Sequence, residues 1–111
     1  MALAIVGCRE KPQTPTLKEK AEGGDAEAQG KLGFNYETGL GVERDLKEAV
    51  KWYRKAAEQG YARGQTSLGL MYEYGKGVSK DYKQALIWYR KAAEQGAANA
   101  ISALKRLGVD I

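Results

Sequence analysis

Histidine is absent from this chain, and cysteine occurs once, as Cys8. Without His, the usual general base and the commonest metal ligand are missing. With a single Cys, neither an internal disulfide nor a Cys-based zinc site can form. No run approaches the roughly 18–20 apolar residues of a membrane span. Charge of one sign is scarcely in excess: 18 basic against 14 acidic residues leave +4 over 111 residues. By segment the balance is +1 for 1–24, −1 for 25–60, +3 for 61–96 and +1 for 97–111. A nucleic-acid binder carries a basic stripe along its length with aromatics between the charges. Two halves of opposite sign argue against that class of partner. The length sets one domain with a modest core.

What is present is repetition. Asp25 to Gly60 and Tyr61 to Gly96 are two 36-residue copies that align without a gap and agree at 21 of 36 positions. The shared pattern includes Leu-Gly at 32–33 and 68–69, and Tyr-Glu-x-Gly-x-Gly-Val at 36–42 and 72–78. It goes on through Asp45 and Asp81 to Trp-Tyr-Arg-Lys-Ala-Ala-Glu-Gln-Gly at 52–60 and 88–96. A fixed period of this length signals a stack in which each unit buries its apolar face on its neighbours. That points towards binding rather than catalysis.

Each copy carries two helical segments. The first, over 25–38 and 61–74, sets Ala28, Leu32 and Tyr36 on one face, with Gly64, Leu68 and Tyr72 as counterparts. Gly33 and Gly69 sit mid-helix, where Gly costs about 0.5–1 kcal/mol relative to Ala, so a neighbouring helix should approach closely there. Gly39 and Gly75 suit the left-handed position that ends a helix. Gly41 and Gly77 then permit a tight loop, from which Val42 or Val78 can tuck against the core. The second helix, over 45–59 and 81–95, opens on Asp45-Leu-Lys-Glu48 and Asp81-Tyr-Lys-Gln84, both patterned like capping boxes. Its buried stripe is Ala49, Trp52, Tyr53 and Ala56, repeated as Ala85, Trp88, Tyr89 and Ala92. Residues 17–24 align with the end of a preceding second helix, and 97–107 with a third first helix. In the latter, Lys105 replaces the packing Gly and Gly108 the Tyr, as a polar cap would. The expectation is an all-α, α/α solenoid of about two and a third helix-turn-helix repeats: about five helices, with a fragment of a sixth in front.

Residues 1–16 lie outside the copies. Ile5-Val6-Gly7-Cys8 resembles a bacterial lipobox, the cleavage signal of lipoproteins, which implies lipidation of Cys8. Arg9 to Thr16 is polar, holds Pro12 and Pro15, and reads as a tether. Only seven residues precede Cys8 and none is basic, so the lipoprotein reading requires a start further upstream. The other reading is an apolar leader with a free thiol. The first reading implies a bacterial envelope protein, periplasmic or lipid-anchored and touching the membrane only through Cys8; the second leaves it cytoplasmic.

The repeat signature resembles the Sel-one-like repeat (SLR), a relative of the tetratricopeptide repeat. The matching residues run Ala-x-x-x-Leu-Gly-x-x-Tyr-x-x-Gly-x-Gly-Val, then Asp, Ala, Trp-Tyr-x-Lys-Ala-Ala and a closing Gly, with Gly64 replacing the first Ala of the second copy. The resemblance implies an α/α superhelix acting as an adaptor for protein complexes, often exported in bacteria. Some secreted relatives are stapled by paired Cys and have been credited with β-lactamase activity. This chain lacks those Cys, and none of that activity carries over.

Two motifs mislead. Gly69 to Gly77 invites a phosphate-loop reading but fails on spacing, with Gly77 where Ser or Thr should meet magnesium. The Gly-x-Gly pairs lack the third Gly and the strand of a dinucleotide site. No cofactor and no metal are expected. The carboxylates of Glu37, Glu73, Asp45 and Asp81 recur at structural positions, and no second group stands out to make an acid/base pair.

Positions that differ between the copies are free to carry specificity. One residue ahead of the core stripe runs a second stripe: Glu27, Gly30, Phe34, Thr38, then Arg63, Thr66, Leu70, Tyr74, and finally Asn99, Ser102, Arg106. First helices line the concave side of tetratricopeptide-like stacks, so the resemblance implies a protein- or peptide-binding groove here. Phe34, Leu70 and Tyr74 would be apolar anchors; Arg63, Asn99 and Arg106 would be polar readers. The plainer alternative is that Phe34 and Leu70 only seal the joint between repeats. The leading expectation is a non-enzymatic interaction module. The runner-up is a structural spacer that self-associates end to end, and an enzyme comes third.

Overall fold

The computed structural model describes residues 14–109, and within them six helices and no strand. They are α1 (Leu17–Glu22), α2 (Ala26–Thr38), α3 (Leu46–Glu58), α4 (Ala62–Tyr74), α5 (Tyr82–Glu94) and α6 (Ala98–Arg106). The pairs α2–α3 and α4–α5 are the two repeats. Short α1 is the front fragment, and α6 is the third first helix. Each helix packs chiefly on its neighbours in the chain. This is the one-dimensional packing of a solenoid.

Local chemistry sets the helix ends. Asp45 accepts hydrogen bonds from the N–H groups of Lys47 and Glu48, and Asp81 from that of Gln84. Only half of the expected capping box forms, because the Asp45 and Asp81 N–H groups donate instead to the carbonyls of Tyr36 and Tyr72. The long loop folds back so that its last N–H reaches the preceding helix, leaving the residue three places on with no role there. A full capping box does occur at Thr16 and Glu19. Gly39 and Gly75 end the first helices at φ 82° and 67°, left-handed backbone that a Cβ disfavours. Replacing Asp81 by Ala should lower stability by about 0.5–2 kcal/mol, read as a shifted urea midpoint at unchanged slope.

Packing runs from joint to joint. The close approach at Gly33 and Gly69 is real, but the neighbour is a ring. A Cβ at Gly33 would lie 2.7 Å from Tyr53, and one at Gly69 2.6 Å from Tyr89. Gly64 likewise lets α4 settle on α3, where its Cβ would come within 2.8 Å of the Ala56 Cβ. Trp52 packs on Ala21, Ala28 and Leu32; Trp88 packs at the next joint, beside Leu68 and Met71. Both indole N–H groups are buried without an acceptor. Burying a Trp removes about 150–250 Å² from water, worth roughly 4–6 kcal/mol, against about 1–3 kcal/mol for one orphaned donor.

A ladder of glutamines closes each repeat. Gln59 donates to the Gly24 carbonyl and to Gln29 Oε1; Gln95, one repeat on, donates to the Gly60 carbonyl and to Gln65 Oε1. Gln29 and Gln65 in turn donate to the Ala21 and Ala57 carbonyls of the preceding helix. The ladder satisfies carbonyls at the helix ends and fixes the register of repeat on repeat.

Candidate functional site

Two hollows lie at successive joints, bordered by the variable stripe. The first, about 410 Å³, is bordered by Gly30, Phe34, Tyr53, Tyr61, Arg63 and Ser67. The second, about 570 Å³, is bordered at positions 36 residues further on, among them Thr66, Leu70, Tyr89, Ala97, Asn99 and Ala103. Arg63 and Ser67 border both, so the hollows are contiguous. Their volumes fall in the usual range of ligand sites, about 300–1,000 Å³.

The hollows differ because the copies differ. In the first, Gly30 leaves room for the Tyr61 ring, which a Cβ there would meet at 2.9 Å. Tyr61, Tyr53 and the half-exposed Phe34 make its walls aromatic. In the second, Thr66 and Ala97 stand at the places of Gly30 and Tyr61, while Asn99, Ser102 and Arg106 add polar groups. Thr66 is buried, and its hydroxyl donates to the Ala62 carbonyl.

Beneath each hollow is a tyrosine–carboxylate pair. Tyr53 Oη donates to Glu37 Oε1, and Tyr89 Oη to Glu73 Oε1, both at 2.6 Å. The next repeat supplies a cation to each: Lys76 Nζ at 2.8 Å from Glu37, and Arg106, doubly bonded to Glu73 at 2.6 and 3.0 Å. These carboxylates do meet second groups, which the sequence did not make evident, but the groups do not form an acid/base pair with them. The partners come from 16 and 33 or more residues away, beyond the reach of a local pattern. The Arg106 guanidinium holds the Glu73 carboxyl below the usual range, outweighing burial, and the Tyr89 hydroxyl adds to the effect. Burial, then the neighbouring carboxylate, pushes the Tyr53 and Tyr89 hydroxyls well up. An ionised carboxylate beside a firmly protonated phenol is the reverse of a pair poised for proton transfer near pH 7.

The structure brings Phe34 and Arg63 to the first hollow, and Arg63, Thr66, Leu70, Asn99, Ser102 and Arg106 to the second. Arg106 turns its guanidinium to Glu73 and so offers no free cation. Glu27 is exposed beside Lys31 at 3.5 Å and borders neither hollow, and neither does the exposed Tyr74. Sequence reasoning missed Tyr53, Tyr61, Ser67 and Tyr89 as lining residues. Tyr53 and Tyr89 are identical in both copies, which marked them as core only. Cys8 lies outside the described residues.

The Sel1 repeat profile matches residues 26–61 and 62–96. The chain belongs to the Sel1-repeat family. The fold overlays the crystal structure of a Sel1 repeat protein from Oxalobacter formigenes with a TM-score of 0.79 and 43% identity, over 81% of this chain and 68% of that one. It overlays a protective antigen of uropathogenic Escherichia coli with an SLR fold at 0.75 and 45% identity, covering 84% of this chain and 21% of that one. With cysteine rich protein B of Helicobacter pylori the TM-score is 0.75 and the identity 34%, over 79% of this chain and 66% of that one. A stretch of 40 residues is 51% identical to the secretory immunoglobulin A-binding protein EsiB of Escherichia coli O6:H1, strain CFT073. That stretch is 36% of this chain and 8% of the relative's length. These relatives are bacterial, and Sel1 repeats in general mediate protein–protein interaction. Among the described residues, no helix is long and apolar enough to cross a membrane.

Proposed function

We propose that this Sel1-repeat protein is a non-enzymatic adaptor that holds an extended segment of a protein partner along the two contiguous hollows. The observation that carries this reading is positional. Matched hollows recur at successive joints, and the residues that distinguish them are those at which two otherwise similar copies diverge. In this reading residues 1–16 form a leader and tether with Cys8 as the lipidated residue, 17–24 a partial helix, 25–60 and 61–96 the repeats, and 97–111 a polar helix and tail. The protein then works at the bacterial envelope, a place consistent with its likeness to an antigen and to an immunoglobulin-binding protein. An end-to-end spacer finds less support: Lys105 stands where Gly33 and Gly69 admit the tyrosine of a following helix.

The test is capture from a bacterial envelope extract by the full chain and by an Arg63→Glu, Leu70→Asp variant first shown to fold by circular dichroism. The expected result is a protein held by the parent and reduced at least tenfold on the variant. A partner retained equally by both would move binding off the hollows.

A further inference from the structure

We propose that the segment recognised is acidic and aromatic: a large apolar side chain fills the first hollow, and a carboxylate beside it pairs with Arg63. This rests on the groove reading above and adds the chemistry of the partner. The walls of the first hollow set the apolar half. Phe34 is half exposed there and, with Tyr61, offers ring faces to a further ring or a branched aliphatic chain.

Charge sets the other half. Glu73 is engaged by Arg106 and Tyr89, and Glu37 by Lys76 and Tyr53. Arg63 is exposed, and among the described residues it has no ion pair and no side-chain hydrogen bond. Of the cations that border the hollows it is the one left unpaired, and it stands where they meet. Lys31, on the rim of the first hollow, holds Glu27 at 3.5 Å with both side chains more than half exposed, a contact of little strength that a ligand carboxylate can replace. A guanidinium receives a carboxylate through two parallel N–H donors, so the preference is for carboxylate over amide of the same shape. A basic segment meets two cations and no uncommitted carboxylate in the first hollow.

The test is selection of a random twelve-residue peptide library on the full chain, with Arg63→Gln and Phe34→Ser variants in parallel. The expected result is enrichment of peptides with Phe, Tyr, Trp or Leu within three residues of Asp or Glu, abolished by Phe34→Ser. A synthetic consensus peptide should bind at least tenfold tighter than its Asn or Gln counterpart by fluorescence anisotropy. Arg63→Gln should erase that difference, bringing the acidic peptide's affinity down to that of the amide peptide. Enrichment that depends on Phe34 but lacks acids overturns this inference and leaves the groove standing. No enrichment on the parent overturns both. The inference also fails if a peptide of residues 1–13 outcompetes the consensus, or if sedimentation shows a dimer that Arg63→Glu dissociates. The occupant would then be the chain's own leader or a second copy.

Discussion

Gly69→Ala is expected to destabilise the parent protein and to stabilise a Tyr89→Ala variant. The three atoms nearest a Cβ at this position all belong to the Tyr89 ring, at 2.6, 2.7 and 3.2 Å. That ring is fully buried and tied to Glu73, so it cannot swing aside. Overpacking of this kind costs about 1–3 kcal/mol. Against it stands the helical preference for Ala, about 0.5–1 kcal/mol, so a net loss of up to about 2.5 kcal/mol remains. Tyr89→Ala alone should cost about 3–5 kcal/mol, the usual range for deleting a buried aromatic. Once the ring is gone the helical preference alone acts, and Gly69→Ala should restore about 0.5–1 kcal/mol. The coupling between the two changes is then the overpacking itself, about 1–3 kcal/mol, within the range measured for residues in contact. Urea titrations of the four proteins check it, with trimethylamine N-oxide present to keep the weakest one folded. The same sign for Gly69→Ala in both backgrounds would mean that the glycine serves something other than the ring.

The repeat made much of this architecture legible. A helix that must pack on its neighbour repeats its apolar spacing, its Asp cap and its terminal Gly, and each signal is local. The mid-helix glycines announced a close approach, but only the structure identified the tyrosine ring that fills the space. What stayed hidden is polar and distant in sequence. Gln29 and Gln59 are 30 residues apart, and Glu73 and Arg106 are 33 apart. The repeat marks Gln29 and Gln59 as kept, at 65 and 95, but nothing in the sequence says which residue each one meets. The Glu37 and Glu73 pairs also show why comparing the copies was insufficient. The equivalent carboxylate, buried at Glu73 and 25% exposed at Glu37, receives its cation from a loop lysine in one joint and from a helical arginine in the other. The variable stripe runs along the hollows at Phe34, Arg63 and Leu70. At Arg106 it falls on a residue whose guanidinium is committed to Glu73, where it supplies the cation that Lys76 supplies at the preceding joint.

That last device carries a pH signature. Arg106→Met should lower the melting temperature by several degrees at pH 7, because it leaves the Glu73 carboxylate, 4% exposed, without its counter-charge. In the parent, Arg106 holds the folded-state Glu73 carboxyl below its ordinary value of 4.5. The stability this pair supplies is complete above about pH 4.5 and is lost as pH falls from there through the depressed folded value. In the variant the Glu73 carboxyl loses its strongest lowering influence, so its folded value lies above the parent's. The variant's folded state then takes up a proton more readily than the parent's, so it loses less stability as pH falls. The gap between parent and variant should therefore be widest at neutral pH and close below about pH 4.5. Arg90→Met is the control: it removes one positive charge from an exposed site with no ion pair among the described residues. Its offset from the parent should vary much less from pH 3 to pH 7 than that of Arg106→Met, since no carboxylate pairs with Arg90 among the described residues. Thermal melts by circular dichroism across that range decide the matter. An Arg106→Met gap as flat as the control's would mean that the arginine acts through its packing alone and that Glu73 titrates independently of it.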